Sequence, residues 1–289
     1  MSALHEASDS VAPKAAAQPK LVVSDVVKEY PAEAGPVFQA LSRVSLSAPD
    51  GQLLCLLGPS GCGKTTLLNL IAGFLQPTAG SVRIDGTAVT QPGADRGLVF
   101  QDYALFPWLT VRRNVQFGPR MRGASREEQE RVAEKYLRMV GLESSAERYP
   151  HQLSGGMKQR VAIARAFANK PGVLLMDEPF GALDAMTRET LQEELRRLCA
   201  LEPRLTIFVT HSVPEAVYLA DRVVVMAARP GRIIADIVLD EPHPRDRTSE
   251  QSVARVREIR ALLQTGPQPR EPHEPKEPHE PQEPRERAA

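Results

Sequence analysis

Gly58-Pro59-Ser60-Gly61-Cys62-Gly63-Lys64-Thr65-Thr66 has the residue types and spacing of a phosphate cradle, G-x-x-x-x-G-K-[ST]. Glycines let successive backbone N–H groups turn inward around an anion. The Lys64 ammonium supplies a point charge to the outer phosphates, and the Thr65 hydroxyl is a hard oxygen donor suited to magnesium. A nucleoside triphosphate is the ligand this chemistry fits. Alone, the same letters describe a glycine-rich turn with a surface lysine, so the flanking segments decide. Gln52-Leu53-Leu54-Cys55-Leu56-Leu57 precedes the loop as a buried strand should. Leu67-Leu68-Asn69-Leu70-Ile71 follows it as a helix whose positive N-terminal end faces the same phosphates. Cys62 fills a free position of the motif, where modification of its thiol is expected to obstruct the nucleotide.

Val173-Leu174-Leu175-Met176-Asp177-Glu178 is an apolar strand ending in two carboxylates. By itself such a pair suits a solvated turn equally well. Beside a phosphate cradle it suits magnesium binding by Asp177 and polarisation of an attacking water by Glu178 as general base. Leu153-Ser154-Gly155-Gly156-Met157-Lys158-Gln159-Arg160 then opens a helical run, Val161 to Phe167. A serine hydroxyl and two glycine N–H groups at a helix start make a second anion site.

Leu153 to Arg160 resembles L-S-G-G-x-x-Q-R, the signature of the ATP-binding cassette (ABC) ATPases, and the resemblance extends from about Leu21 to Leu239. It implies ATP and Mg2+ as ligands and a RecA-like P-loop core: a mixed sheet with an antiparallel β edge region and an inserted α-helical subdomain. It also implies roles one residue at a time. Gln101 resembles the glutamine that senses magnesium and the attacking water. Gly181-Ala182-Leu183-Asp184 resembles the loop that communicates between two ATP sites, and His211 the histidine that bonds the γ-phosphate. Tyr30 is placed like the aromatic that stacks on adenine, although Pro31 to Pro36 departs from the usual spacing. Gly58 to Thr66 would hold ATP, with Thr65, Gln101 and Asp177 around the metal. Ser154, Gly155, Gly156 and Asp184 would act across a head-to-tail dimer of two copies.

The elements that must position these groups are also legible. Apolar runs at Gly97–Phe100, Val173–Met176, Leu205–Thr210, Arg222–Met226 and Arg232–Leu239 predict strands, several of them continuous rather than alternating, as strands covered on both faces require. Earlier strands are expected at Leu21–Val23 and Leu41–Ala48. Ser125-Arg126-Glu127-Glu128 predicts the capped start of a helix ending at Gly141. Leu191, Leu195 and Leu198 predict another, beginning near Thr187. Helices alternating with strands give an α/β core, and the stretch from about Asp102 to Asn169 reads as a helical insert. An amphipathic helix is expected over 248–265.

The predicted organisation is a disordered leader over 1–19, an ATPase domain over 20–240, a C-terminal helix within 241–266 and a tail over 267–289. In the tail Glu-Pro-x recurs five times from Glu271 to Arg285, which is too proline-rich for helix or sheet. His273 and His279 lie there as solvated residues rather than fixed metal ligands. The charge is balanced, with 36 basic and 36 acidic side chains, which disfavours a nucleic-acid binder working through a broad basic surface. Cys55, Cys62 and Cys199 have no metal-ligand spacing and suit a reducing compartment. No apolar segment is long enough to span a bilayer.

The resemblance therefore implies an ATPase subunit of an importer. Its expected partners are a second copy, two transmembrane permease subunits and, indirectly, an extracytoplasmic solute-binding protein, with no nucleic acid. It would sit on the cytoplasmic face of the cell membrane, held there by the permease. The alternative is a cassette ATPase of DNA repair, chromosome organisation or translation. The short spacing between Lys64 and Ser154 and the single cassette argue against it. Asp102 to Leu109, with Trp108 the only tryptophan, is placed to receive the permease. Phe106–Val111, Ala228–Ile233 and Pro244–Arg247 resemble the nitrate, sulfonate and taurine uptake group, leaving polyamine, phosphate and other importers open.

Overall fold

The structure is a computed structural model that describes residues 18–31, 37–181 and 183–265. The expected leader up to residue 17, most of the Pro31 to Pro36 insertion, Ala182, and the tail with His273 and His279 lie outside the described residues.

Strands β1 (Leu21–Tyr30), β2 (Phe38–Ala48), β4 (Ala79–Ile84) and β5 (Thr87–Ala88) form an antiparallel sheet in the order β2-β1-β4-β5. The second sheet contains β3 (Leu53–Leu57), β6 (Arg96–Val99), β7 (Val173–Asp177), β8 (Leu205–Thr210), β9 (Arg222–Ala227) and β10 (Arg232–Val238), in the order β10-β9-β3-β8-β7-β6. Its pairings are parallel except β10 with β9. All of β3 and β8 is buried, as strands covered on both faces must be.

Alternation along β3 divides the interior. Leu53, Cys55 and Leu57 face one apolar cluster, while Leu54 and Leu56 face another. The second cluster is closed by α1 (Lys64–Ala72) and the antiparallel sheet. The first is closed by α2 (Val111–Met121), α3 (Arg126–Met139), α4 (Gly155–Ala168), α5 (Ala185–Leu201), α6 (Val213–Leu219) and α7 (Glu250–Thr265). No strand occurs between 102 and 169, so the helical character expected there is seen. Among the described residues no helix is long and apolar enough to cross a membrane.

Three details differ from the sequence reading. β1 and β2 are longer than expected, because their mutual ladder runs on to Tyr30–Phe38 and carries the polar residues Lys28 and Glu29 into the strand. β4 was not anticipated: only Val82 and Ile84 of its six residues are buried, too few for a recognisable alternation. α5 begins at Ala185 rather than near Thr187, because the Asp184 carboxylate accepts the Thr187 N–H at 3.0 Å and caps it.

The segment after β10 is fastened by a buried cation. Arg245 is 5% exposed, and its guanidinium donates to the carbonyls of Val217 (2.7 Å), Ala220, Leu239 (3.0 Å) and Glu241 (3.0 Å). Arg247 lies over the Tyr218 ring, and Ile259 of α7 is fully buried. Arg245→Met would leave several inward carbonyls without a donor. We expect urea unfolding to show a loss of about 3 kcal/mol, and a loss under about 1 kcal/mol would mean that water replaces the guanidinium.

Candidate active site

The C-terminal ends of β3, β8 and β7 lie level, with Leu57 opposite Thr210 and Val209 opposite Asp177. Parallel strands thus deliver the loops beginning at Gly58, Glu178 and His211 to one rim of the sheet. Gly58 has no room for a side chain: a Cβ there would sit 2.5 Å from the Met226 carbonyl oxygen. Gly63 has φ 88° and is the N-cap of α1, with no side chain bonded to that helix end. The first N–H groups of α1 therefore point into the loop as an anion site.

Lys64 is 5% exposed, and its Nζ donates to the carbonyls of Gly58 (2.8 Å) and Pro59 (3.0 Å). The ammonium lies inside the cradle, its charge met by carbonyl dipoles. Pro59, Ser60, Gly61 and Thr65 are exposed around it, and Thr66 is half-buried. Cys62 is fully buried with its sulfur 3.9 Å from Lys64 Nζ. Burial pushes its thiol pKa up, against the pull of the nearby ammonium. The expectation that modifying Cys62 obstructs the site is therefore corrected: the thiol is inaccessible and neutral, and Cys62 can serve an anion only through its backbone.

Thr65 Oγ1 donates to Asp177 Oδ1 at 3.1 Å, joining the cradle to the end of β7. Burial raises the Asp177 pKa and Glu178 adds to this, while the Thr65 bond and Lys64 oppose it. Glu178 adopts φ 42°, in the left-handed region, and its Oε2 lies 3.2 Å from His211 Nδ1. These two side chains share a cavity of about 400 Å³ with Arg188, Glu215 and Arg260. Gln101 is exposed in the turn after β6. Tyr30 is half-buried at the end of β1, opposite Phe38, with Lys28 Nζ 5.2 Å from its ring centroid.

The signature residues form a separate group. Ser154 caps α4 by accepting the Met157 N–H at 3.3 Å. A Cβ on Gly156 would sit 2.6 Å from Thr187 Cγ2, so the start of α4 packs on the first turn of α5, which Asp184 caps. Asp184 is exposed, and the Thr187 N–H bond holds its carboxyl below the ordinary value. Ser154, Gly155 and Asp184 are thus gathered on one exposed surface.

The family profile described as ABC transporter matches residues 41–181. An uncharacterised ABC transporter ATP-binding protein of Methanocaldococcus jannaschii, MJ0412, is 49% identical over 259 residues, 90% of this chain and 97% of that protein. The chain belongs to the ABC transporter ATP-binding proteins. The nitrate import ATP-binding protein NrtD of Synechocystis sp. is 48% identical over 79% of this chain and 87% of that protein. The taurine import ATP-binding protein TauB of Roseobacter denitrificans is 49% identical over 74% and 80% respectively. The cassette MJ0796, solved as a post-hydrolysis dimer bound to ADP and Pi, superposes with a TM-score of 0.68 at 34% identity, covering 77% of this chain and all of that one. This ABC ATPase thus has the α/β cassette fold, and it binds and hydrolyses ATP to drive transport.

Sequence reasoning overlooked the residues behind His211 in this ABC ATPase. Thr210, Glu215 and Arg188 lie next to it, and only the Ser212-x-x-Glu215 spacing, a helix-capping pattern, hinted at them.

The raised Asp177 pKa has a consequence for stability. A carboxyl that holds its proton more tightly when folded favours folding at low pH, and that advantage disappears as pH rises through the folded pKa. At pH 7 the ionised group opposes folding, so Asp177→Asn should raise the melting temperature of the nucleotide-free protein. The gain should shrink as pH falls toward about 4. A lower melting temperature at pH 7 would show that the Thr65 bond outweighs the burial of charge.

Proposed function

We propose that the chain energises a membrane importer for a small solute of the nitrate, sulfonate or taurine class. The observation carrying the catalytic part of this reading is the placement of Glu178, 3.2 Å from His211 and one residue beyond Asp177, at the rim occupied by Lys64. In this reading residues 20–240 are the ATPase unit, with a helical subdomain at about 102–169. Residues 241–266 hold the C-terminal helix. Thr65 and Asp177 offer hard oxygens side by side, a donor pair suited to Mg2+, with Gln101 on the neighbouring turn. When bound, the metal neutralises charge on the phosphates.

The chain's own groups then divide the work. The Gly58 to Thr66 backbone and Lys64 orient the phosphates, and Tyr30 stacks on adenine. Glu178 takes a proton from the attacking water, and His211 donates to the γ-phosphate. Ser154, Gly155 and Asp184, exposed on the α4–α5 surface, and the half-buried Gly156 beside them complete the site of a second copy. MJ0796 assembles as a dimer, and its likeness supports this arrangement.

Trp108 is 70% exposed beside Phe106, which also packs on Phe117, and Met121 at the end of the same helix as Phe117 is 69% exposed. Asn114 fixes this loop by accepting the Phe106 N–H and donating to the carbonyls of Phe106, Leu109 and Thr110. A rigid aromatic patch of this kind suits a permease subunit. Docked there, the protein is held at the cytoplasmic face of the membrane, and a solute-binding protein acts on the permease from the far side.

Glu178→Gln should keep ATP affinity, lower turnover by about a thousandfold or more, and accumulate as a dimer on size exclusion with ATP. A monomeric variant with normal turnover would overturn the proposed base. Trp108→Ala should weaken co-purification with the permease by roughly 2 kcal/mol or more while leaving the ATPase rate of the free subunit within about twofold. Equal loss of both would instead place Trp108 in the core of the helical region.

A further inference from the structure

His211 stands between two residues tied to one buried glutamate, Thr210 to its carboxylate and Ser212 to its backbone N–H. Glu215, in the first turn of α6, is 8% exposed. The Thr210 hydroxyl donates to its Oε2 at 2.7 Å, and the Ser212 N–H donates to that same Thr210 oxygen at 3.0 Å. The Glu215 N–H in turn donates to Ser212 Oγ at 3.5 Å. Both backbone neighbours of His211 are thereby fastened to Glu215. The imidazole itself projects into the cavity it shares with Glu178.

The other oxygen of Glu215 faces Arg188, with Oε1 3.7 Å from Nε. Arg188 lies one turn into α5, and its guanidinium donates to the carbonyls of Phe180 (3.3 Å) and Leu183 (2.7 Å). Those carbonyls belong to the turn between Glu178 and Asp184, whose own Gly181 N–H donates to the Glu178 carbonyl at 3.1 Å. A closed circuit results: Glu178 to His211, His211 through Thr210 and Ser212 to Glu215, Glu215 to Arg188, and Arg188 back to the turn holding Glu178.

A buried carboxylate with no structural partner would be costly, whereas here each oxygen has one. Glu178 and His211 come from separate strands, and no covalent feature sets their 3.2 Å approach. The circuit is what joins the two turns behind them. We infer that Glu215 is a positioning residue for ATP hydrolysis, which sets the His211 ring against Glu178 through Thr210 and, through Arg188, ties that placement to the turn ending at Asp184. This inference rests on the proposed roles of Glu178 and His211.

Glu215→Gln keeps the side chain's size but replaces the carboxylate that accepts from Thr210 and faces Arg188 with a neutral amide, weakening both links of the circuit. Displacing a reacting group by about an ångström costs up to a hundredfold, so kcat should fall about tenfold or more while KM for MgATP stays within about twofold. In the full-length protein, the His211 ring resonance should move while those of the other five histidines stay in place; His211→Gln provides the assignment. Thr210→Val, which cuts the same circuit nearer the imidazole, should reproduce both changes and serves as the test if Glu215→Gln fails to fold. Unchanged kcat, a raised KM at constant kcat, or a fallen kcat with the His211 resonance unmoved would each overturn the inference. If His211→Gln itself hydrolyses ATP normally, the assignment of His211 fails, which is a separate result.

Discussion

The constraint on which the site depends is the parallel register of β3, β8 and β7. Residue pairs Leu57–Thr210 and Val209–Asp177 bring three strands to a common edge, and each strand ends in a turn with different chemistry. One turn surrounds a lysine, one presents two carboxylates and one presents an imidazole. A single-residue slip of β7 against β8 would move Glu178 along the rim by about 3.3 Å and break its approach to His211. It would also exchange the residues facing the two apolar clusters, since Leu174 and Met176 face one and Val173 and Leu175 the other. Burial on both faces of β7 therefore fixes catalytic geometry as a by-product of fixing the core.

That rim concentrates charge at a partly buried place. Lys64 is held by carbonyl dipoles rather than by a carboxylate, while Asp177 and Glu178 are adjacent and burial raises the pKa of the first. Such an arrangement costs stability without a ligand, and the phosphates of ATP with the proposed Mg2+ would offset that cost. The left-handed φ of Glu178 adds local strain at the same point. Binding energy would thereby be concentrated in the residues proposed to do the chemistry, where it would act on the turns on either side.

Much of this arrangement was legible in the sequence. Gly58–Thr66, Asp177–Glu178 and Ser154–Gly156 are short, local patterns whose chemistry is set by residue type and spacing, and the strands bearing them are continuous apolar runs. What escaped notice depends on contacts between distant segments. β4 is a strand because it pairs with β1, not because Ala79-Gly80-Ser81 favours one. Cys62 looks accessible within its motif, yet its side chain turns beneath the loop into the second apolar cluster. Arg188 and Glu215 look like ordinary charges on exposed helix faces, and only the folding of α5 against α6 reveals them as a pair.

The same sheet gives the proposed docking patch a short path to the chemistry. β6 is the edge strand next to β7, with Val99 opposite Met176, so Gln101 leaves the sheet close to where Asp177 and Glu178 do. From Gln101 the chain enters a loop whose carbonyls at Tyr103 and Ala104 accept from Arg165 of α4, and that guanidinium also lies over the Phe106 ring. α4 is capped by Ser154, on the surface proposed to meet the second copy. One arginine therefore connects the helix that starts at the signature with the loop that carries Trp108. In the proposed assembly, a permease docked on the aromatic patch would be linked through these Arg165 contacts to both the Gln101 turn and the signature helix. In that proposed assembly, closure of two ATP-bound copies and movement of a docked permease would be parts of one rigid-body displacement.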